Sequence, residues 1–312
     1  MHPNRDDRSR DYVQTYHELM ARSGVTPDLA RAIMRTNTTA IGSVMVHRGE
    51  ADSMICGTFG QYLWHLNYVE QVLGSDDLKP AGALSLMILE DGPLFIADTH
   101  IHARPTPDQV AQTVISAARH VRRFGIEPKI ALCSGSEFGN LDSQSGRTMR
   151  GALQVLDGLG LDFQYEGEMH TDSALDPDLR GRVFPQSRLQ GQANVLIYAN
   201  TDADGATRNI LTSKADELEA GPSFMGMGNR PQNVTPAIGP RGLLNLCASA
   251  VPPATPPAAL TATAQRARGR VGVAPPAGGG WARTGRELAV RLHARLDDVE
   301  RTGRRRRDGA RK

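Results

Sequence analysis

Ser134-Gly135-Ser136-Glu137-Phe138-Gly139 stands between an apolar run that ends at Cys133 and a helical pattern that opens near Gly146. Small hydroxyl residues and glycines at a strand end leave backbone N–H groups free for an anion, and the dipole of a following helix adds to the attraction. A serine-rich solvent loop has the same composition. Asn200-Thr-Asp202-Ala203 follows a second apolar run, where Asp202 reads either as a ligand-side carboxylate or as an ordinary helix cap. Asp98-Thr-His100-Ile-His102 places two imidazoles on alternate residues, the spacing of a His-x-His metal pair, with Glu168, His170 and Asp172 available to complete it. Cys133 offers a thiol beside the serine loop, but a cysteine inside an apolar run behaves as a small hydrophobe. Gly226-Met-Gly228 lacks the third glycine, the following helix and the ribose-binding acid of a dinucleotide loop, so it supports no NADP site.

These residues need a frame. Between Asp11 and Ala250, helical periodicity alternates with short apolar runs, the pattern of layered α/β architecture with a largely parallel sheet. Helices are expected from Tyr12 to Arg22, from Pro27 to Arg35 behind a Thr26 cap, and from Pro107 to Gly125 behind the capping box Thr106-Pro-Asp-Gln109. Further helices are expected at Gly146–Leu156, Ala206–Leu218 and Leu243–Ala250. Strands are expected at Asp52–Cys56, Lys129–Cys133, Phe163–Tyr165, Asn194–Tyr198 and Ser223–Met225. Leu84–Leu89 and Leu94–Ala97 flank Asp91-Gly92 and read as a hairpin.

The chain has 312 residues and a formal net charge of +2, unevenly spread. After Val251, fourteen basic residues face five acidic ones, which leaves the body about −7 and a poor nucleic-acid binder. Residues 252–312 hold six prolines and eight glycines with little apolar material, and read as a mostly disordered tail with one helix over 285–300. Residues 1–10 read as a disordered start. Three widely spaced cysteines, no apolar stretch near the N-terminus and no long uncharged apolar run point to a reducing cytoplasm, with no signal peptide and no membrane span.

Several stretches carry a more specific message. Tyr12-Val-Gln-Thr-Tyr16-His17, Arg35-Thr-Asn37-Thr38-Thr39, Gly49-Glu-Ala-Asp52-Ser-Met-Ile-Cys-Gly57 and Phe124-Gly-Ile-Glu-Pro128 resemble the phosphotransacetylase family. Gly167-Glu168-Met-His170, Gly191-Gln-Ala-Asn194 and Gly226-Met-Gly228-Asn-Arg230 continue the match across residues 10–251. The nearest form is the phosphotransacetylase-like C-terminal part of hybrid NADP-dependent malic enzymes. The resemblance implies a two-domain α/β fold, an acetyl-CoA cleft, a homo-oligomer and, as a partner, a malic-enzyme catalytic half. No metal is implied at His100 and His102, which read as surface variation.

Active relatives use a Ser-Arg pair before the last helix, an aspartate shortly after it and a further phosphate-holding arginine. Carried over residue by residue, these positions hold Thr235, Pro236, Gly242 and Asn67. Proline and asparagine offer phosphate no charge, and glycine offers no carboxylate. Thr235 and Arg241 remain as the groups that could act. The resemblance therefore implies a non-catalytic regulatory and oligomerisation part of a malic enzyme that binds acetyl-CoA through Ser134, Ser136, Gly139, Asp202, Thr235 and Arg241. The alternative is an active phosphate acetyltransferase. No malic-enzyme catalytic motif precedes Asp11, so the chain reads as a fragment.

Overall fold

The computed structural model describes residues 8–74, 82–89, 92–98, 100–214, 218–227, 231–236 and 238–250. The tail with its expected helix, the hairpin turn at Glu90-Asp91 and the Gly228–Arg230 stretch lie outside them.

The chain opens with helices α1 (Ser9–Met20), α2 (Pro27–Thr36) and α3 (Thr38–His47), followed by the short strand β1 (Met54–Cys56) and α4 (Tyr62–Leu73). Thr26 Oγ1 accepts the Leu29 N–H and Asn37 Oδ1 accepts the Ala40 N–H, so two consecutive helices each receive a side-chain cap. Tyr12, Tyr16, Ala30, Met34, Ala40 and Val44 bury one face of each helix against the others. Helix α1 begins two residues before the expected boundary at Asp11.

The larger sheet holds β2 (Gly82–Leu89), β3 (Gly92–Ala97), β4 (Lys129–Cys133), β5 (Gln164–Met169), β6 (Val195–Tyr198) and β7 (Leu218–Met225), in the order β5-β4-β6-β3-β2-β7. The pairs β4/β5, β4/β6 and β3/β6 are parallel, whereas β2 and β7 run antiparallel. Alternation decides which face each side chain meets. Ile130, Leu132, Val195 and Ile197 enter one core with α5 (Pro107–Arg122) and α6 (Gln144–Asp157). Ala131, Cys133, Leu196 and Tyr198 enter the other, beneath α7 (Thr171–Leu175) and α9 (Thr201–Lys214). Both faces are thus covered, as a mostly parallel sheet requires. Helix α8 (Pro177–Val183) completes this side.

A second, two-stranded sheet joins β1 to β8 (Pro231–Asn233) in parallel, with Met54 opposite Pro231 and Cys56 opposite Asn233. Helix α10 (Pro240–Ala250) follows. The mixed α/β class with mostly parallel strands agrees with the sequence expectation. Two details differ. Asn200 Oδ1 caps α9 through the Ala203 N–H, so this helix starts at Thr201 and ends at Lys214. Leu218, expected to close that helix, instead opens β7.

Candidate functional site

Strands β3, β4, β5 and β6 end on one edge of the sheet. After β4 the chain leaves through α6 toward β5, whereas after β6 it leaves through α9 on the opposite face. The β4/β6 boundary is therefore a topological switch point where the loops diverge, the place at which open α/β sheets bind ligands as a rule. The serine loop follows β4, and the Asn200–Asp202 segment follows β6. Two of the expected ligand segments thus come together at this edge.

The serine loop does not have the expected vacancy for an anion, because the protein supplies its own. Glu168, the penultimate residue of β5, is buried, and its Oε1 accepts from Ser136 Oγ at 2.7 Å, from the Gly139 N–H at 2.9 Å and from Arg150 Nη1 at 2.7 Å. Its carbonyl accepts the Phe138 N–H at 2.7 Å. The N–H of Ser136 goes to Ser134 Oγ at 2.9 Å and that of Glu137 to Asn140 Oδ1 at 2.9 Å. Ser136 is fully buried and also accepts the Leu141 N–H. Of the expected contacts here, Ser136 and the Gly139 amide are committed to Glu168, and the Ser134 hydroxyl donates to the Ser136 carbonyl. Phe138 holds φ +49°, a left-handed conformation that a bulky residue adopts only when its surroundings dictate it. Its ring stacks on Phe184 at 4.4 Å between centroids.

Around this core, Glu137 accepts from the Ser173 hydroxyl and lies 3.4 Å from Nδ1 of the part-exposed His170. Asp202 is exposed in the first turn of α9, since Asn200 does the capping. Cys133 is buried with its thiol pushed up to about 12 by desolvation, which removes it as a nucleophile near neutrality.

At the end of β3 the reading of His100 and His102 as surface variation does not hold. Asp98 is buried and accepts the N–H groups of Ala83, Ile101 and His102, together with Nδ1 of His102 at 2.7 Å. His100 turns inward instead, with its ring 4.5 Å from that of Tyr62, and burial lowers its pKa to about 4. The two imidazoles serve different partners. Among the described residues, no group of three or more His, Cys, Asp or Glu is arranged to hold a metal ion.

Thr235 belongs to a different part of the molecule. It follows β8, where the Val234 N–H donates to the Cys56 carbonyl at 2.8 Å and Asn233 Nδ2 donates to the Tyr62 carbonyl. Gly57 makes this junction possible: it has φ +93°, and a Cβ there would come within 2.1 Å of the Val234 carbonyl oxygen. Asn67 is exposed on α4. The Arg241 side chain lies outside the described residues. Gly242 is buried beneath β7, and a Cβ at this position would meet the Glu219 carbonyl oxygen at 2.8 Å. The backbone of this chain is thus closed around the absence of a side chain at 242.

Sequence reasoning gave no role to Arg150, Tyr62 or Asp204. The usable signal was in Gln164-Tyr-Glu166-Gly-Glu168-Met, where two acids alternate inside a strand. Glu166 is buried as well, accepting the Arg188 and Gly167 N–H groups.

The family model described as phosphate acetyl/butaryl transferase matches residues 1–251. The chain is 44% identical over 252 residues to an NAD-dependent malic enzyme of Rhizobium meliloti, covering 80% of this chain and 33% of that protein. It is 40% identical over 248 residues to an NADP-dependent malic enzyme of Escherichia coli, covering 79% and 33%. A phosphate acetyltransferase of Nitratidesulfovibrio vulgaris is 28% identical over 232 residues, covering 74% and 33%. The chain therefore spans about a third of the length of these curated relatives. Among solved structures, a phosphotransacetylase from Streptococcus pyogenes superposes with TM-score 0.70 at 22% identity, covering 77% of this chain and 74% of that one. The EutD phosphotransacetylase from Staphylococcus aureus gives 0.68 at 20% identity, covering 80% and 77%. On the family match and the shared fold, the chain belongs to the phosphate acetyl/butaryl transferase family.

Proposed function

We propose that this chain is the regulatory and oligomerisation part of an NADP-dependent malic enzyme, binding acetyl-CoA without efficient acyl transfer. The observation that carries this reading is the close approach of Gly242 to Glu219. Position 242 lacks a carboxylate and also lacks space for one, so the chain is built around the loss. Pro236 and Asn67 offer a phosphoryl group no positive charge at two further positions where active relatives carry arginine. Transfer of an acetyl group from phosphate to a thiol needs a base or polarising acid, a donor to the tetrahedral oxyanion and a cation on phosphate. Of these, Thr235 can supply the hydroxyl. What supports binding is the switch point itself, with the loop pinned by Glu168 after β4 and the N-terminus of α9 after β6.

The malic-enzyme catalytic half, the cytoplasm and self-association belong to the same proposal, and rest on the malic enzymes among the relatives. The test is a pair of measurements on the purified chain. Acetyl-CoA should raise the unfolding temperature by a few degrees, as expected for a ligand that binds only the folded state. Coupled formation of acetyl-CoA from acetyl phosphate and coenzyme A should stay at background. Turnover at ordinary enzymatic rates of about 1–1000 per second would overturn the reading in favour of an active phosphate acetyltransferase using Thr235 and Arg241.

A further inference from the structure

Asp98 and His102 form a dyad at the carboxyl end of β3 that has no part in the function proposed above. Nδ1 of His102 lies 2.7 Å from Asp98 Oδ2, and the same oxygen accepts the His102 N–H at 2.8 Å. The other oxygen accepts the N–H groups of Ala83 and Ile101 at 2.6 and 3.2 Å. Three backbone groups thus fix the carboxylate. Gly82 leaves the room for it, since a Cβ there would stand 3.3 Å from Asp98 Cγ. When Nδ1 donates to a carboxylate, the lone pair of a neutral imidazole lies on Nε2. In His102 that atom has no partner among the described residues and is not enclosed, the side chain keeping 18% of its surface exposed against 7% for Asp98. His100, two residues earlier, has its Nδ1 buried.

The turn that carries the dyad is packed on the junction that bears Thr235. Ile101 joins the apolar cluster of Cys56, Tyr62, Phe224 and Met227. The His100 ring lies 4.5 Å from that of Tyr62, and the Tyr62 carbonyl accepts from Asn233 Nδ2 at 2.9 Å, two residues before Thr235. On the other side, Ala97 pairs with Ile197, so Asp98 stands on the sheet edge from which β6 leads into α9. Contacts therefore tie the oriented imidazole to both segments that the acyl-CoA reading uses.

Charge then selects the acyl acceptor. Phosphate needs cations, and neither Pro236 nor Asn67 supplies one. Water is neutral and needs a base. We propose that His102, held by Asp98, is the general base of a slow acyl-CoA hydrolase activity. Nε2 takes a proton from a water whose oxygen adds to the thioester carbonyl. The C–S bond breaks as the tetrahedral intermediate collapses, and the proton passes from Nε2 to the departing thiolate. Acetyl-CoA and water become acetic acid and coenzyme A, with no change of oxidation state. This inference rests on the acyl-CoA reading.

Thiol release from acetyl-CoA, followed with a thiol-reactive dye, tests it on the whole chain beside thermal unfolding in the same ligand. The wild-type chain should release thiol faster than the protein-free solution. In His102→Asn the amide nitrogen takes the place of Nδ1 and keeps the bond to Asp98, while Nε2 is gone. Its protein-dependent release should fall by about 100-fold or more, with the acetyl-CoA increment in unfolding temperature retained. An increment without release above background, or release unchanged in His102→Asn, would overturn the role of the dyad and leave acyl-CoA binding standing. A missing increment would sink the acyl-CoA reading and this inference with it. If His102→Asn does not fold, wild-type release in deuterium oxide decides: a slower rate supports proton transfer by the dyad and an unchanged rate refutes it.

Discussion

Arg150 Nη1 lies 2.7 Å from Glu168 Oε1, and through this contact helix α6 and strand β5 clamp the loop that joins β4 to α6. The same oxygen accepts from Ser136 and Gly139, so one buried atom holds the loop at three points. Glu168→Gln keeps the shape but weakens all three bonds. It should cost about 2–3 kcal/mol in urea unfolding, less than a fully buried pair because the Arg150 side chain is 34% exposed. Ser136→Ala should cost about 1.5 kcal/mol. Acetyl-CoA binding should weaken in both variants if the loop forms the binding wall, which isothermal titration measures.

Gly242→Asp tests whether activity can be restored by chemistry alone. Its Cβ would sit 2.8 Å from a backbone oxygen of β7, so the helix start or the strand must shift. The expected result is a loss of about 1–3 kcal/mol with no gain of acyl transfer. A rise in acetyl-CoA formation would show that the missing carboxylate was the whole deficit.

Three buried titratable groups set opposed pH limbs. Asp204 is raised to about 8, so between the unfolded carboxylate value and 8 the folded chain holds a proton that the unfolded chain releases, and stability falls as pH rises through that window. His100 and His120 are each lowered to about 4 by burial, so the unfolded chain gains protons first, and stability falls as pH drops from about 6.5 toward 4. From these three groups a stability maximum near pH 6–7 is expected. Asp204→Asn should flatten the alkaline limb and leave the acid limb in place, as read from denaturation midpoints across pH.

Arg180 is a buried cation whose hydrogen bonds go to backbone carbonyls. Its guanidinium donates to the carbonyls of Ser173, Ala174, Leu189 and Gly191, tying α7 to the segment that leads into β6. Lysine keeps the charge but cannot span four acceptors with a planar fork. Arg180→Lys should lose about 2–4 kcal/mol and increase amide hydrogen exchange over residues 184–194.

The parts of this fold that were legible from sequence are those with a local cause. The helix at Pro107 was readable from Thr106 and Gln109, and both halves of that capping box are formed. Strands β4 and β6 were readable because both of their faces are buried, giving short unbroken apolar runs. Helix α3 was not read, because Thr39, Ala40, Ile41, Ser43, Val44 and Val46 bury it nearly all round and leave no stripe. Strand β8 is three residues long and exists by pairing with β1, a partner far away in sequence. The site divides in the same way. The serine loop was legible as a loop at a strand end, but its occupant was not, because Glu168 arrives from another strand. His100 was read as surface variation on the family resemblance, whereas its ring packs on Tyr62, which stands on a helix the pattern did not announce.

That long-range pairing has a consequence for how the chain is made. Cys56 reaches Asn233, 177 positions later in the sequence. A ribosome adding about 5–20 residues per second needs roughly ten to thirty-five seconds to deliver the second strand after the first has been synthesised. Throughout that interval β1 lacks the strand it pairs with in the folded chain. The small sheet therefore closes late, after the strands of the larger sheet from β2 to β7 have all been synthesised.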